Sequence, residues 1–230
     1  KDGAFYNTDP HRMLANNSAV YEAKPSSEEF MEEWMALMKG RTGERGIFNR
    51  GGLMTQLPKR RIDLWKKQGI VQNKQVVAPV GTNPCGEIIL QSKQFCNLSE
   101  VIARKEDTLE TMKRKARIAA ILGTYQSSLT DFKYLSKEWT DNCRSERLLG
   151  VSVSGQWDSP AARKPEVLRA VRDEAIAVNK KYAKRFGIPA SSAVTAVKPS
   201  GTVSQTVNCA SGMHPRHSEY YIRRIRISAT

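Results

Sequence analysis

The sequence predicts a mixed α/β fold, and three observations carry that expectation. Segments with helical spacing of apolar residues alternate with short apolar runs of β-like composition. One such run, Leu148-Leu149-Gly150-Val151-Ser152-Val153-Ser154-Gly155, precedes a long helical segment. A second run, Ser192-Ala193-Val194-Thr195-Ala196-Val197, follows that helix and opens into the small polar turn Pro199-Ser200-Gly201-Thr202. Strand, helix, strand and turn in this order are the grammar of an α/β protein. No internal repeat, low-complexity tract or linker divides the 230 residues, so 1-230 is read as domain material with no clear second domain.

The elements follow in order. Ser26 is an N-cap candidate and Glu29 completes a capping box, so a helix is predicted from about Ser27 to Lys39, with Gly40 able to end it. Phe30, Trp34, Leu37 and Met38 share one face and are expected to be core. Residues 41–50 read as a polar loop, and a second helix is predicted to start near Asp63. Gln75-Val76-Val77-Ala78-Pro79-Val80-Gly81 reads as strand or loop, and Ile88-Ile89-Leu90 as a short strand. A helix is predicted from Thr108 to about Ser127, burying Leu109, Met112, Ala116, Ala119 and Ala120. Another fits Pro165 to Phe186, with Val167, Leu168, Val171, Ala175, Ile176 and Tyr182 inward. The run Ser218 to Arg224 reads as part of a strand.

Composition excludes some classes. Hydrophobic content of 40% and charged content of 26% suit a globular chain. No apolar run reaches membrane-spanning length, and the N-terminus lacks an apolar signal core. Both ends read as cut from a longer protein: there is no initiator Met, and the last residues stop inside a β-like run. The net charge of +14 is scattered in short basic pairs without interleaved aromatics, so a solvated surface is expected rather than a nucleic-acid interface. The four cysteines, Cys85, Cys96, Cys143 and Cys209, have no zinc-type pair spacing. A cytoplasmic setting with reduced thiols is expected. Cys209, His214 and His217 form the only metal-like grouping, but Pro215 interrupts it and no metal is expected there.

The chemistry centres on Asn83-Pro84-Cys85-Gly86-Glu87 and the following Phe95-Cys96-Asn97-Leu98-Ser99-Glu100. In an extended segment, Asn83, Cys85 and Glu87 would point to one side as amide, thiol and carboxylate. The competing reading is a plain tight turn at Pro84-Cys85-Gly86. Lys198-Pro199-Ser200-Gly201-Thr202-Val203-Ser204 is either an ordinary turn or an anion cradle, in which small residues let backbone N–H groups converge. Arg216, Arg223 and Arg224 are either phosphate contacts or a solvated basic edge.

Together with Gly43-Glu44-Arg45-Gly46-Ile47-Phe48-Asn49-Arg50 and Cys209-Ala210-Ser211-Gly212-Met213-His214-Pro215-Arg216, these motifs resemble the ribonucleotide reductases, most of all the adenosylcobalamin-dependent class. The resemblance implies part of a ten-stranded α/β barrel with a central finger loop at about 81–100. It implies that Cys85 is the thiyl position, Glu87 the base on the 3′-hydroxyl and Asn83 a ligand of the sugar hydroxyls. Cys96 would be one of two redox thiols, while Cys143 and Cys209 are read as structural. Pro199, Ser200, Gly201, Thr202, Val203 and Ser204 would bind substrate phosphate. The implied cofactor is adenosylcobalamin. The implied partners are a ribonucleotide substrate, an external dithiol reductant such as thioredoxin, and a complementary chain supplying missing barrel segments. Two alternatives stay open: a reductase served by a separate metal radical subunit, and a non-catalytic nucleotide-binding or assembly piece of a split enzyme.

Overall fold

The computed structural model describes residues 10, 15–40 and 45–222. Gly43 and Glu44 of one motif, and Arg223 and Arg224, lie outside the described residues.

The centre is two successive strand–helix–strand passages. Strand β7 (Asn97–Ile102) pairs in parallel with β8 (Leu149–Ser154), from Asn97↔Leu149 to Ile102↔Ser154. All six residues of β8 are buried, which explains why the run reads as continuously apolar and small rather than alternating. Helices α4 (Leu109–Gln126) and α5 (Lys137–Glu146) lie between these strands in the chain. Helix α6 (Pro165–Phe186) follows β8 and packs on α4. The chain then returns beside β8. Backbone bonds from Leu149 N to Ala193 O (3.0 Å), Val151 N to Val194 O (2.9 Å) and Ala196 N to Val151 O (3.1 Å) hold it there. This return forms only an isolated parallel bridge, Val151↔Thr195, and not the full strand predicted for 192–197.

The helix boundaries have local causes. Thr108 and Thr111 form a reciprocal capping box at the start of α4. Pro165 sits in the first turn of α6, and Gly187 ends it at φ +66°. Alanines 116, 119 and 120 and Gly123 let α4 approach the sheet; a Cβ at Gly123 would lie 3.1 Å from the Leu149 side chain. Asn179 Nδ2, buried on α6, donates to Thr124 Oγ1 and Ser191 Oγ, each at 2.9 Å. Its Oδ1 accepts from Ser191 N at 2.9 Å, so one side chain fixes α4, α6 and the returning segment.

Upstream, β1 (Ala19–Tyr21) pairs in parallel with β2 (Ile47–Asn49), and helix α1 (Ser27–Gly40) lies between them in the chain. Short helices α2 (Leu53–Gln56) and α3 (Lys59–Lys67) follow, then the small antiparallel pair β3 (Val71–Gln72) and β4 (Gln75–Val76). Strands β5 (Val80–Thr82) and β6 (Ile89–Gln91) form an antiparallel hairpin. Leu53, Trp65, Ile70, Val71 and Val80 make a second apolar cluster beside the one built on β7 and β8.

Further expectations are corrected, among them the loop reading of 41–50, within which Ile47–Asn49 forms β2. Ser26 Oγ accepts from Glu29 N at 3.1 Å as predicted, but α1 buries no residue, and Phe30, Trp34 and Met38 are exposed. Helical periodicity marks a face that can be covered, not one that is covered. Leu109, the first residue of α4 after its Thr108 cap, is exposed rather than buried. Ser218–Ile222 carries no strand.

Candidate active site

The segment between β5 and β6 is a tight turn and not an extended strand. Gly86 N donates to Asn83 O at 3.0 Å, closing a β-turn through Pro84 and Cys85. Gly86 holds φ +84°, a conformation that disfavours a side chain. Since the Asn83 carbonyl is diverted to Gly86, the ladder continues differently: Asn83 N donates to Ile88 O at 3.1 Å, and Asn83 Oδ1 accepts from Ile88 N at 2.9 Å.

The turn sorts the four motif residues. Cys85, Gly86 and Glu87 line a cleft of about 280 Å³ with Val197, Lys198, Pro199, Met213 and His214. Asn83 and Cys96 line a neighbouring cavity of about 600 Å³, with Phe48, Leu90 and Leu98 among its walls. The extended reading, with Asn83, Cys85 and Glu87 aligned on one face, is therefore replaced by a turn that sets Asn83 apart.

Within the smaller cleft the Cys85 thiol is exposed, while the Glu87 side chain is only 6% exposed. Neither Glu87 oxygen accepts a hydrogen bond. Their nearest cation is the Lys198 ammonium, 3.2 Å from Oε1 in an ion pair without hydrogen-bond direction. The same ammonium donates to Cys85 Sγ at 3.2 Å. Partial burial works against the Lys198 charge. The contacts with Cys85 and Glu87 outweigh it and hold the ammonium above the ordinary lysine range. A buried carboxylate with no donor is costly, so an acceptor kept in this condition is suited to meeting a polar group that arrives later.

Cys96 stands just before β7, its sulfur 3.2 Å from where a Cβ of Gly150 would be. Burial pushes its thiol up to about 12, with Arg61 lowering it and Glu87 adding to the rise. Cys143 is buried on α5 and Cys209 follows Ser204 in the chain's next turn, its N–H bonded to Ser204 O at 2.9 Å.

The 198–204 segment begins at the cleft. Ser200 Oγ accepts from Ser204 N at 3.1 Å, and Ser204 Oγ donates to Gly201 O at 2.8 Å, so both hydroxyls are used inside the turn that starts helix α7 (Thr202–Thr206). Gly201, Thr202 and Val203 are exposed, and a Cβ at Gly201 would touch nothing. Gly212, at φ +55°, lies where a Cβ would come within 2.7 Å of the Lys198 carbonyl, and so fixes the backbone that carries the ammonium. Arg216 is committed to Asp158 through two bonds of 3.0 Å each and does not face the turn as a free cation.

Sequence reasoning missed Lys198 as a site residue and missed the support beneath the hairpin. Glu146, fully buried at the end of α5, accepts from Arg61 Nε (2.6 Å), Trp65 Nε1 (2.8 Å), Gln91 Nε2 (2.6 Å) and Ser192 Oγ (2.6 Å). Arg61 Nη2 also donates to Ile89 O at 2.8 Å. Burial raises the Glu146 carboxyl, but the Arg61 charge and these donors win and hold it below the usual range. One carboxylate thus joins α3, β6, α5 and the returning segment. The polar run of α5 gave no signal beyond Glu146 itself.

No protein-family model matches the chain. An adenosylcobalamin-dependent ribonucleoside-triphosphate reductase from Lactobacillus acidophilus is 28% identical over 96% of this chain and 32% of its own length. One from Euglena gracilis is 31% identical over 65% of this chain. The crystal structure of a B12-dependent, class II ribonucleotide reductase superposes with a TM-score of 0.59 at 23% identity, covering 93% of this chain and 33% of that one. The chain is similar in sequence to adenosylcobalamin-dependent ribonucleoside-triphosphate reductases and in fold to a class II ribonucleotide reductase. It spans about a third of the length of the curated relatives it matches. The shared architecture is α/β; among the described residues it is represented by four two-stranded sheets. No described helix is long and apolar enough to cross a membrane.

Proposed function

We propose that the chain carries the thiyl-radical site of a ribonucleotide reductase that uses adenosylcobalamin, within a partial barrel domain spanning 1-230. The observation that carries this reading is the cleft in which an exposed thiol, Cys85, stands beside a buried carboxylate, Glu87, that accepts no hydrogen bond.

The residues divide the reaction as follows. The sugar enters the cleft with its 3′-hydroxyl against Glu87, which takes that proton as general base. Cys85, as thiyl, takes the C3′ hydrogen atom; the 2′-hydroxyl then leaves as water once protonated. Two thiols supply two electrons and two protons as they close to a disulfide, and Cys85 returns its hydrogen atom to C3′. Asn83 Oδ1 is committed to Ile88 and the residue lines the neighbouring cavity, so its Nδ2 is the donor for a sugar hydroxyl that reaches over from the cleft to that side of the turn. Cys96 is one reducing thiol. Cys143 is buried on α5 and Cys209 sits beyond α7, so its partner is proposed to come from outside the described residues, on an adjoining segment or a complementary chain. In the Pro199–Ser204 turn the exposed Gly201, Thr202 and Val203 present backbone N–H groups to the phosphate, while Pro199, which has none, stiffens the turn and Ser200 and Ser204 shape it through the Ser204 N to Ser200 Oγ bond.

Adenosylcobalamin would supply the hydrogen-atom abstraction that makes Cys85 a thiyl. The site suits such a group because the sulfur is exposed at the rim of the cleft while the base lies inside, so Cys85, Met213 and His214 can face a bulky molecule without closing the floor. The thiol demand points to an external dithiol reductant in a reducing cytoplasm.

The test is ribonucleotide reduction with adenosylcobalamin and a dithiol, with the adjoining segments of a full-length relative supplied. Cys85→Ser is expected to abolish turnover with the fold intact. Substantial turnover by that variant would overturn the assignment.

A further inference from the structure

We propose that Lys198 is a positioning residue of this site: its ammonium clasps Glu87 and Cys85 together and ties both to the turn that would hold substrate phosphate. The inference rests on the thiyl-site reading for its role in turnover, but the clasp itself stands on geometry. One nitrogen lies 3.2 Å from Glu87 Oε1 and 3.2 Å from Cys85 Sγ, bridging residues over a hundred positions apart in the chain. Its backbone is fixed from behind by Gly212, whose α-carbon lies too close to the Lys198 carbonyl to bear a side chain.

The chemistry of a clasp differs from that of a phosphate ligand. An ammonium donates and cannot accept, so a sulfur that accepts from it cannot direct its own S–H at the same nitrogen. The same charge offsets the buried Glu87 carboxylate, whose oxygens accept no hydrogen bond. Since Lys198 opens the Pro199–Ser204 turn, any shift of that turn on binding an anion moves the ammonium, and with it the thiol and the base.

The geometry predicts a reactivity that needs neither cofactor nor turnover. An adjacent ammonium stabilises a thiolate. Alkylation of the full chain by iodoacetamide near neutral pH is read on the tryptic peptide 75–93, which contains no cysteine but Cys85. Because the ammonium lies 3.2 Å from the sulfur, Lys198→Met is expected to slow alkylation severalfold, and Lys198→Arg to restore most of the parent rate. Glu87→Gln, which removes the competing anion, is expected to speed it. Thermal unfolding run in parallel identifies a variant that fails to fold; if Lys198→Met does, the Glu87→Gln rate alone decides. In the assembled enzyme, Lys198→Met is expected to lower kcat with little change in KM. Unchanged alkylation in a folded Lys198→Met protein, an unchanged Glu87→Gln rate, or a raised KM at unchanged kcat would each overturn the clasp. Slowed alkylation in an enzyme without ribonucleotide reduction would instead refute the thiyl-site reading and leave the clasp standing.

Discussion

Asn83 uses its side chain as a substitute for a backbone acceptor, and this decides which way Cys85 faces. Asn83→Ala removes the acceptor for Ile88 N and is expected to cost about 1 kcal/mol and to broaden the turn. Asn83→Asp keeps the acceptor and is expected to retain most of that stability. Urea unfolding of both variants checks the pair; equal losses would show that the side-chain bond contributes nothing. The two thiols are also expected to differ. Cys85 is exposed, whereas burial pushes Cys96 up to about 12, so near pH 8 an alkylating reagent should consume Cys85 while leaving Cys96 largely intact. Peptide-resolved mass spectrometry over time measures this directly. At this scale the sequence singled out Cys85 and Glu87, which the structure places in one cleft, but misjudged the geometry of the segment that carries them. Alternation along an extended segment predicted one face; the diverted Asn83 carbonyl and the positive φ of Gly86 made a turn instead. Lys198 was illegible because its partners are distant in sequence and no local pattern distinguishes a clasping lysine from a solvated one.

Among the elements, α3 and α5 matter through the Arg61–Glu146 pair. Arg61→Met leaves Glu146 buried without its counter-charge and is expected to cost about 3–5 kcal/mol. The double variant Arg61→Met, Glu146→Leu should recover a large part of that loss in denaturant unfolding. Because Glu146 has a lower pKa folded than unfolded, its contribution is complete above the unfolded carboxylate value and is lost as pH falls through the folded one. Glu146→Gln should therefore flatten the acid side of the stability profile, and an unaltered acid slope would refute this. The turn before α7 carries a further expectation. Gly201→Leu should raise substrate KM roughly tenfold at unchanged melting temperature, since the added side chain meets open space and obstructs only an approaching anion. Helices α4 and α6 were legible to within a residue because their caps and apolar spacing agree. Helix α5 was not, because its sequence is mostly polar and its anchoring depends on one buried glutamate.

Among the described residues there are two apolar clusters, one on β7, β8, α4 and α6 and one around Trp65, which the Glu146 network joins through Trp65. Hydrogen exchange is expected to be slowest in α4, α6 and β8 and faster across residues 53–91. Glu146→Gln should accelerate exchange across 53–91 far more than in α6. Uniform acceleration would mean that the clusters unfold as one unit. The α/β class was legible from composition and order. The limited extent of each sheet was not, because apolar content marks a strand without stating how many neighbours it will pair with. The exposed face of α1 has the same origin.

The hairpin that carries Cys85 also sets where this lineage can vary in length. One residue added between Asn83 and Ile88 would disturb both Asn83–Ile88 bonds, and added before Gly86 it would break the turn bond as well, shifting the Cys85 thiol relative to Glu87. The exposed Ser92–Lys93 bend a few positions later, where Lys93 already adopts φ +55°, can absorb the same insertion without touching the cleft. Homologues should accordingly keep the count from Asn83 to Glu87 fixed and differ in length between Gln91 and Cys96, so the spacing of the two cysteines is a looser signature than the spacing within the turn.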